Sequence, residues 1–182
     1  MLSFPKPPDR GPFVPVTIFG VPVLFHWSFP ALAATGGLFA VACAGELRIA
    51  VPVFLSASMA YLFLVLAHEF GHAAIARLAG LRVERIIIAG TAGWCFVSPS
   101  KSDVINLLVY SGGILAQVAL LTVTCIALLF LGPPSHLPVT CIVFVFTFVN
   151  VIGILWNAIP IQGRNDGALI TSTIRRIRGP GR

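Results

Sequence analysis

The chain has 182 residues, of which 57% are hydrophobic and only 10% are charged, whereas soluble domains carry about 25% charged residues. This composition predicts an α-helical polytopic membrane protein with a single domain and leaves no room for an additional soluble module. The net charge of +6 does not indicate nucleic-acid binding, because the basic residues lie between apolar runs and form no basic patch interleaved with aromatic side chains.

The N-terminal third is rich in proline and glycine before it becomes continuously apolar. Residues 1–12 are predicted to form a loose tail, and residues 13–26, which contain two prolines, are predicted to form short strands. Residues 27–44 are the first candidate membrane helix. An alternative is that this segment is a cleaved signal, since Ala40–Cys43 faintly resembles a lipoprotein cleavage site, but its distance from Met1 disfavours this.

Three further apolar runs and one alternating segment follow. The membrane helices are predicted at 51–79, 104–131 and 139–159, which gives about four spans in all. Residues 81–97 alternate around a glycine-containing turn and predict a β-hairpin, or a small sheet, at the membrane surface. Residues 167–178 place isoleucines on one face and arginines elsewhere, which predicts a C-terminal amphipathic helix held to anionic lipid.

The distribution of basic residues predicts the orientation in the membrane. With four spans, Arg48 alone falls on one side, and the positive-inside rule makes the other side cytoplasmic, with both termini there. We therefore expect a multi-pass protein of the cell membrane. The eleven basic residues on the cytoplasmic side would be Lys6, Arg10, Arg77, Arg82, Arg85, Lys101, Arg164, Arg175, Arg176, Arg178 and Arg182.

The most informative motif is His-Glu-x-x-His, formed by His68, Glu69 and His72 near the end of the second apolar run. Histidines at positions i and i+4 share one face of a helix and can bind one Zn²⁺ ion. The glutamate can take a proton from a water whose pKa the ion lowers. The alternative, two buried histidines with a glutamate cap, is disfavoured because ionisable residues are costly at membrane depth.

A third ligand is needed, since a catalytic zinc usually has three protein ligands and an open position. Asp166 is the candidate, because it and the motif both fall at the cytoplasmic end of an outside-to-inside span. Pro160 ends the preceding helix and frees backbone that can bend a carboxylate toward the metal. The alternative is that Asn165 or Asp166 caps the following helix, and both roles can coexist.

With these motifs, the chain resembles the site-2 protease family of intramembrane zinc metalloproteases. The resemblance runs from about Ile18 to Gly167 and implies zinc bound by His68, His72 and Asp166, with Glu69 as the catalytic carboxylate. It also implies cleavage of a transmembrane or membrane-proximal segment of another protein, and a membrane-associated β-element. It is carried by Phe19–Pro22, His26–Ser28, Ala67–Ala73, Ala76–Arg77, Gly80, Asn157, Pro160 and Asp166–Gly167.

The chain departs from the family pattern in three ways. Asp166 follows Asn157 by nine positions where the family usually has eight, so that Asn165 occupies the expected position. In the third span, Gln117 is the nearest match to a family asparagine. Gln117 and Asn157 are candidates for contacting substrate or a developing oxyanion, although packing through small residues around Gln117 is an equal alternative. No PDZ-like or nucleotide-sensing domain is expected, which would make this a minimal form.

We therefore predict a zinc endopeptidase that works in the cytoplasmic leaflet on a single-span membrane protein. The hairpin edge is expected to pair with unwound substrate. One alternative is a non-catalytic membrane scaffold that keeps zinc for structure, with Asn165 or His26 as a fourth ligand. A metal transporter is disfavoured, since the other mid-span polar residues are not ionisable. The four cysteines are interpreted as small apolar fillers: Cys43, Cys95, Cys125 and Cys141.

Overall fold

The computed structural model describes residues 11–30, 46–161 and 165–179. Within these ranges the chain is mostly helical and contains one four-stranded sheet. Most of the predicted tail (1–12) and of the predicted first span (27–44) lies outside the described residues. Four membrane helices therefore stay a prediction.

Four short strands form the sheet: β1 (Phe13–Ile18), β2 (Val21–His26), β3 (Val83–Ala89) and β4 (Ala92–Val97). β1 and β2 pair antiparallel, as do β3 and β4, whereas β2 and β3 pair in parallel. A parallel pair needs a long crossover, and here the crossover includes the helix that carries the His-Glu-x-x-His motif. The two predicted β segments thus form one sheet, in the order β1-β2-β3-β4.

Among the described residues, three helical segments are long and apolar enough to cross a membrane. These lengths and compositions indicate a multi-pass membrane protein. The third segment contains a π-helical turn, a feature that often lies near functional sites. The segments are α1 (Leu47–Leu78), α2 (Asp103–Leu131), and a third made of α3 (Leu137–Phe144), the π turn (Val145–Val149) and α4 (Asn150–Ala158).

The sheet packs directly against α1 beside the His-Glu-x-x-His motif. Its buried residues form an apolar cluster with Ala73, which follows the second histidine of the motif. Tyr61 of α1 also donates a hydrogen bond of 2.8 Å to the carbonyl of Thr91 in the β3–β4 turn. The sheet is therefore fixed over one end of the motif. The cluster residues on the strands are Val21, Val23, Ile86 and Ile88.

Helices α1 and α2 approach closely through two glycines. A Cβ atom at Gly71 would collide with the carbonyl oxygen of Gly112, and a Cβ at Gly112 would collide with the backbone of Gly71. Small residues allow helix backbones in membranes to come this close. The contact brings the next residue of α2, Gly113, against the histidines of α1.

The last helix, α5 (Asp166–Arg178), lies against α2. Its first residue is the predicted third zinc ligand. Near its other end, Arg176 forms a 3.0 Å ion pair with Asp103, the first residue of α2. Helix α5 therefore runs from the candidate site to the start of α2.

Candidate metal centre

Two imidazole rings on one face of α1 form the first part of the site. His68 and His72 lie one helical turn apart, and their Nε2 atoms are 3.1 Å from each other. Both residues are buried. The spacing of four residues predicted this shared face, because it nearly matches one turn of an α-helix.

The Nδ1 atom of each ring is engaged by an oxygen atom of α2. His68 Nδ1 lies 3.0 Å from Oε1 of Gln117, and His72 Nδ1 lies 2.7 Å from the carbonyl oxygen of Val109. A carbonyl oxygen only accepts hydrogen bonds, so these two contacts favour the tautomer in which each Nδ1 carries the proton. The N–H of Gly113 also approaches His72 Nδ1, but from farther away, at 3.3 Å. Each Nε2 is then left with a lone pair, which is the form in which histidine binds a metal.

Asp166 completes the group from the start of α5. Its Oδ2 atom lies 3.1 Å from Nε2 of His68 and 3.3 Å from Nε2 of His72. No donor in the part of the chain that the structure describes forms a hydrogen bond with this buried oxygen. Among the described parts of the chain, these three residues form the group of histidine, cysteine and carboxylate side chains that could hold a metal ion.

The geometry and chemistry of this group fit a zinc ion. Two lone pairs and a carboxylate oxygen would repel one another at these distances unless a cation lay between them. Zinc binds nitrogen and oxygen ligands at about 2.0–2.1 Å in a tetrahedron, which places ligand atoms about 3.3 Å apart. The observed separations of 3.1 to 3.3 Å match that value.

Asn165 and Asp166 have different positions, which the sequence alone did not distinguish. Asp166 reaches the histidines, whereas the Asn165 side chain accepts a hydrogen bond from the N–H of Ala168 and caps α5. Asn165 is therefore the cap, and its neighbour Asp166 is the candidate metal ligand.

Glu69 lies against β4, an edge strand of the sheet. Its carboxylate faces the backbone N–H of Cys95 and interacts electrostatically with both histidines and Asp166. A Cβ atom at Gly93 would lie 2.5 Å from Oε1 of Glu69. The absence of a side chain at Gly93 thus leaves room for the carboxylate between α1 and β4.

A second glycine leaves room beside the histidines. A Cβ atom at Gly113 would lie 2.5 Å from Nε2 of His72 and 2.6 Å from Nε2 of His68. From the sequence, Gly113 was one of the small residues around Gln117 considered for helix packing and began the stretch that most nearly matches the family pattern, whereas Gly93 was not singled out. The spacing could have identified Gly113. It precedes the family-like Gln117 by four residues, so the two residues lie on the same face of the helix.

Gln117 and Asn157 belong to a polar network between α2 and the third apolar segment, in which Gln117 and Asn150 are buried and Asn157 is half-buried. Asn157 Nδ2 lies 3.5 Å from Oε1 of Gln117, and Asn150 donates a 2.9 Å hydrogen bond to the Gln117 carbonyl. The amide nitrogen of Gln117 faces Gly153. Gln117 therefore contacts His68 as well as this network. The contacts of Gln117 and Asn157 with substrate stay predictions.

His26 and the three cysteines that the structure describes lie outside the three-residue group. His26 is buried in the sheet, and its Nδ1 is 2.7 Å from Oγ of Ser28. Burial and the Glu69 carboxylate raise the pKa of the Cys95 thiol to about 12, so this thiol stays protonated. Cys125 and Cys141 are free thiols, and Cys43 lies outside the described residues.

The fold is similar to that of a solved structure, the Site-2 Protease from Methanocaldococcus jannaschii. The match covers 93% of this chain and 74% of that chain, with a TM-score of 0.67 and 19% sequence identity. At that identity the similarity concerns the fold. No protein-family model matches the sequence, and no curated protein matches it.

Proposed function

We propose that this protein is an intramembrane zinc endopeptidase that cleaves a transmembrane or membrane-proximal segment of a single-span protein. The observation that carries the proposal is the meeting of three ligand atoms from His68, His72 and Asp166 within 3.3 Å of one another. Glu69 directly follows His68 in the sequence, and the fold is similar to that of a site-2 protease.

In this proposal His68, His72 and Asp166 hold the zinc ion. Zinc bound there supplies Lewis-acid chemistry, which polarises a carbonyl group and makes water a nucleophile at neutral pH. The Gln117 and Val109 oxygens keep both imidazoles in the tautomer that presents Nε2 to the ion.

Glu69 is the proposed proton carrier. Its carboxylate takes a proton from the attacking water and later gives it to the leaving amine. The backbone N–H of Cys95 holds one side of the carboxylate, and the bare backbone at Gly93 allows it to remain close to the sheet. The strand thus orients the general base.

The edge of β4 is the proposed binding surface for substrate. A helical substrate must unwind before cleavage, because helical carbonyls are hydrogen-bonded and shielded. β4 is an edge strand whose residues Gly93 and Cys95 contact Glu69. An extended segment added to this edge would gain backbone hydrogen bonds and would run past the carboxylate.

The proposed orientation places the site toward the cytoplasm of a cell membrane, with both termini on that side. The positions of arginine residues at the ends of α1 and α5 support this orientation. Arg77 follows the motif on α1, and Arg175, Arg176 and Arg178 lie at the end of α5, whereas Arg48 lies at the opposite end of α1. Cysteine-accessibility labelling of positions near each terminus in sealed vesicles would test it.

Cleavage by purified protein tests the proposed activity. The zinc-loaded protein and the Glu69→Gln variant are incubated with single-span substrates in detergent or vesicles, and the products are separated on gels. We expect cleavage by the parent and a loss of at least about 100-fold in the variant, with zinc content unchanged. Equal rates would contradict the assignment of Glu69. Zinc binding without cleavage of any substrate would support the structural scaffold instead.

A further inference from the structure

The side chain of Asn165 makes four hydrogen bonds to backbone groups. Its Nδ2 donates to the carbonyl oxygens of Trp156 and Ile159, the latter at 2.6 Å. Its Oδ1 accepts from the N–H groups of Ile161 and Ala168, both at 3.2 Å. A side-chain amide has two N–H donors and two acceptor lone pairs, so all of its capacity is used. The residue is only 5% exposed.

These bonds join the end of α4 to the start of α5. The carbonyl of Trp156 would ordinarily accept from the N–H four residues later, but that residue is Pro160, which has none. Asn165 supplies the missing donor. The two helix ends also touch at Gly167, where a Cβ atom would lie 2.5 Å from the carbonyl oxygen of Ala158.

We propose that Asn165 is a positioning residue that holds the Asp166 carboxylate at the metal, an inference that rests on the proposed zinc site. Asp166 is the next residue in the chain, and its Oδ2 must stay within about 3.3 Å of two imidazoles on another helix. The four bonds fix the backbone from which that side chain extends. Since its amide is saturated, Asn165 itself does not bind the metal.

This role goes beyond capping a helix. Capping needs only the bond between Oδ1 of Asn165 and the N–H of Ala168. Positioning also needs the two N–H groups of the Asn165 amide, which donate to carbonyl oxygens at the end of α4. Serine caps helices about as well as asparagine, but its single hydroxyl cannot supply two N–H donors. The variant Asn165→Ser therefore separates the two roles without adding a charge beside Asp166.

The test is zinc affinity, measured by chelator competition on the purified full chain. We expect Asn165→Ser to lower the affinity by about 10-fold or more, the range found when groups that orient metal ligands are removed. The matched control is Ser102→Ala, because Ser102 caps α2 through the N–H of Ile105 and lies outside the metal group. This control is expected to keep the parent's affinity.

A second readout follows the geometry at the metal directly. Cobalt replaces zinc and reports tetrahedral coordination by intense visible absorption, which we expect to weaken in Asn165→Ser and to persist in Ser102→Ala. Unchanged zinc affinity in Asn165→Ser would overturn the inference. Loss of the entire fold, seen as loss of helical circular dichroism, would also overturn it, because a positioning role predicts a local effect. Failure of the parent chain to bind zinc would instead refute the proposed function.

Discussion

The Nδ1 atom of His68 lies 3.0 Å from Oε1 of Gln117, across the interface between α1 and α2. This contact determines which nitrogen of the imidazole faces Asp166. It also explains why a glutamine occurs in an apolar helix, where an unpaired amide would be costly. The relationship gives a prediction that separates positioning of the metal ligand from contact with substrate.

Replacing Gln117 by leucine removes the acceptor for His68 Nδ1, and replacing it by glutamate keeps an acceptor while removing the amide N–H. We expect Gln117→Leu to lower zinc affinity by about 10- to 100-fold and Gln117→Glu to retain it. Chelator competition measures both variants. A zinc-loaded Gln117→Glu protein with normal cleavage would exclude the amide as an oxyanion donor, whereas a low kcat would support that role. Normal zinc affinity in Gln117→Leu would contradict the positioning role.

Gly113→Ala tests the space beside the histidines. A methyl group there would lie 2.5 Å from His72 Nε2, so the ring or the helix must move. We expect zinc affinity to fall by at least about 10-fold, measured by zinc titration with a fluorescent chelator. Ser111→Ala on the same helix is the control, because the Ser111 hydroxyl donates to the carbonyl of Leu107 within that helix and Ser111 lies outside the metal group. Parent-like affinity in Gly113→Ala would show that the ligands do not occupy the described positions.

Gly93→Ala tests the contact between β4 and Glu69. The added Cβ would lie 2.5 Å from Glu69 Oε1, and the atoms nearest to it all belong to Glu69 rather than to His68, His72 or Asp166. We therefore expect kcat to fall by about 10-fold or more with zinc content unchanged, as measured by cleavage assays and metal analysis on the same preparation. Ala92→Ser enlarges the exposed neighbouring residue and is expected to cleave normally. An active Gly93→Ala protein would argue against this position for the general base.

Gly71→Ala tests the crossing of α1 and α2. The new Cβ would collide with the carbonyl oxygen of Gly112, and overpacking of this kind costs about 1–3 kcal/mol. Denaturation in mild detergent, followed by circular dichroism, should show a lower unfolding free energy than the parent. The variant Leu129→Ala, at a residue that is 82% exposed, provides the comparison and should change stability less. Equal stability of Gly71→Ala and the parent would contradict the close approach.

Local patterns in the sequence were sufficient to predict much of the architecture. Apolar runs of membrane length indicated α1, α2 and the third segment, and alternation with a glycine turn indicated the hairpin of β3 and β4. What local patterns could not supply was the pairing of β2 with β3, because Val23 and Ile86 are joined only by a long crossover. The π turn at Val145–Val149 was also missed, since its residues are as apolar as the adjoining helix.

The candidate site was predictable where residue types carry the chemistry. His68 and His72 followed from helical spacing, and Asp166 followed from the depth at which two helices end. The roles of Asn165, Gly93 and Gly113 depend instead on backbone groups from distant segments that meet only in the fold. A sequence shows which side chains are present but not which carbonyls and glycines face them.

The measurement that tests the central claim most directly is the zinc content and coordination of the purified chain. Metal analysis of the parent should show about one zinc per chain, and X-ray absorption should show nitrogen and oxygen ligands at about 2.0–2.1 Å. The variants His72→Ala and Asp166→Ala should each lose the bound metal. Full zinc occupancy with unchanged coordination in Asp166→Ala would contradict a site built by α1 and α5 together.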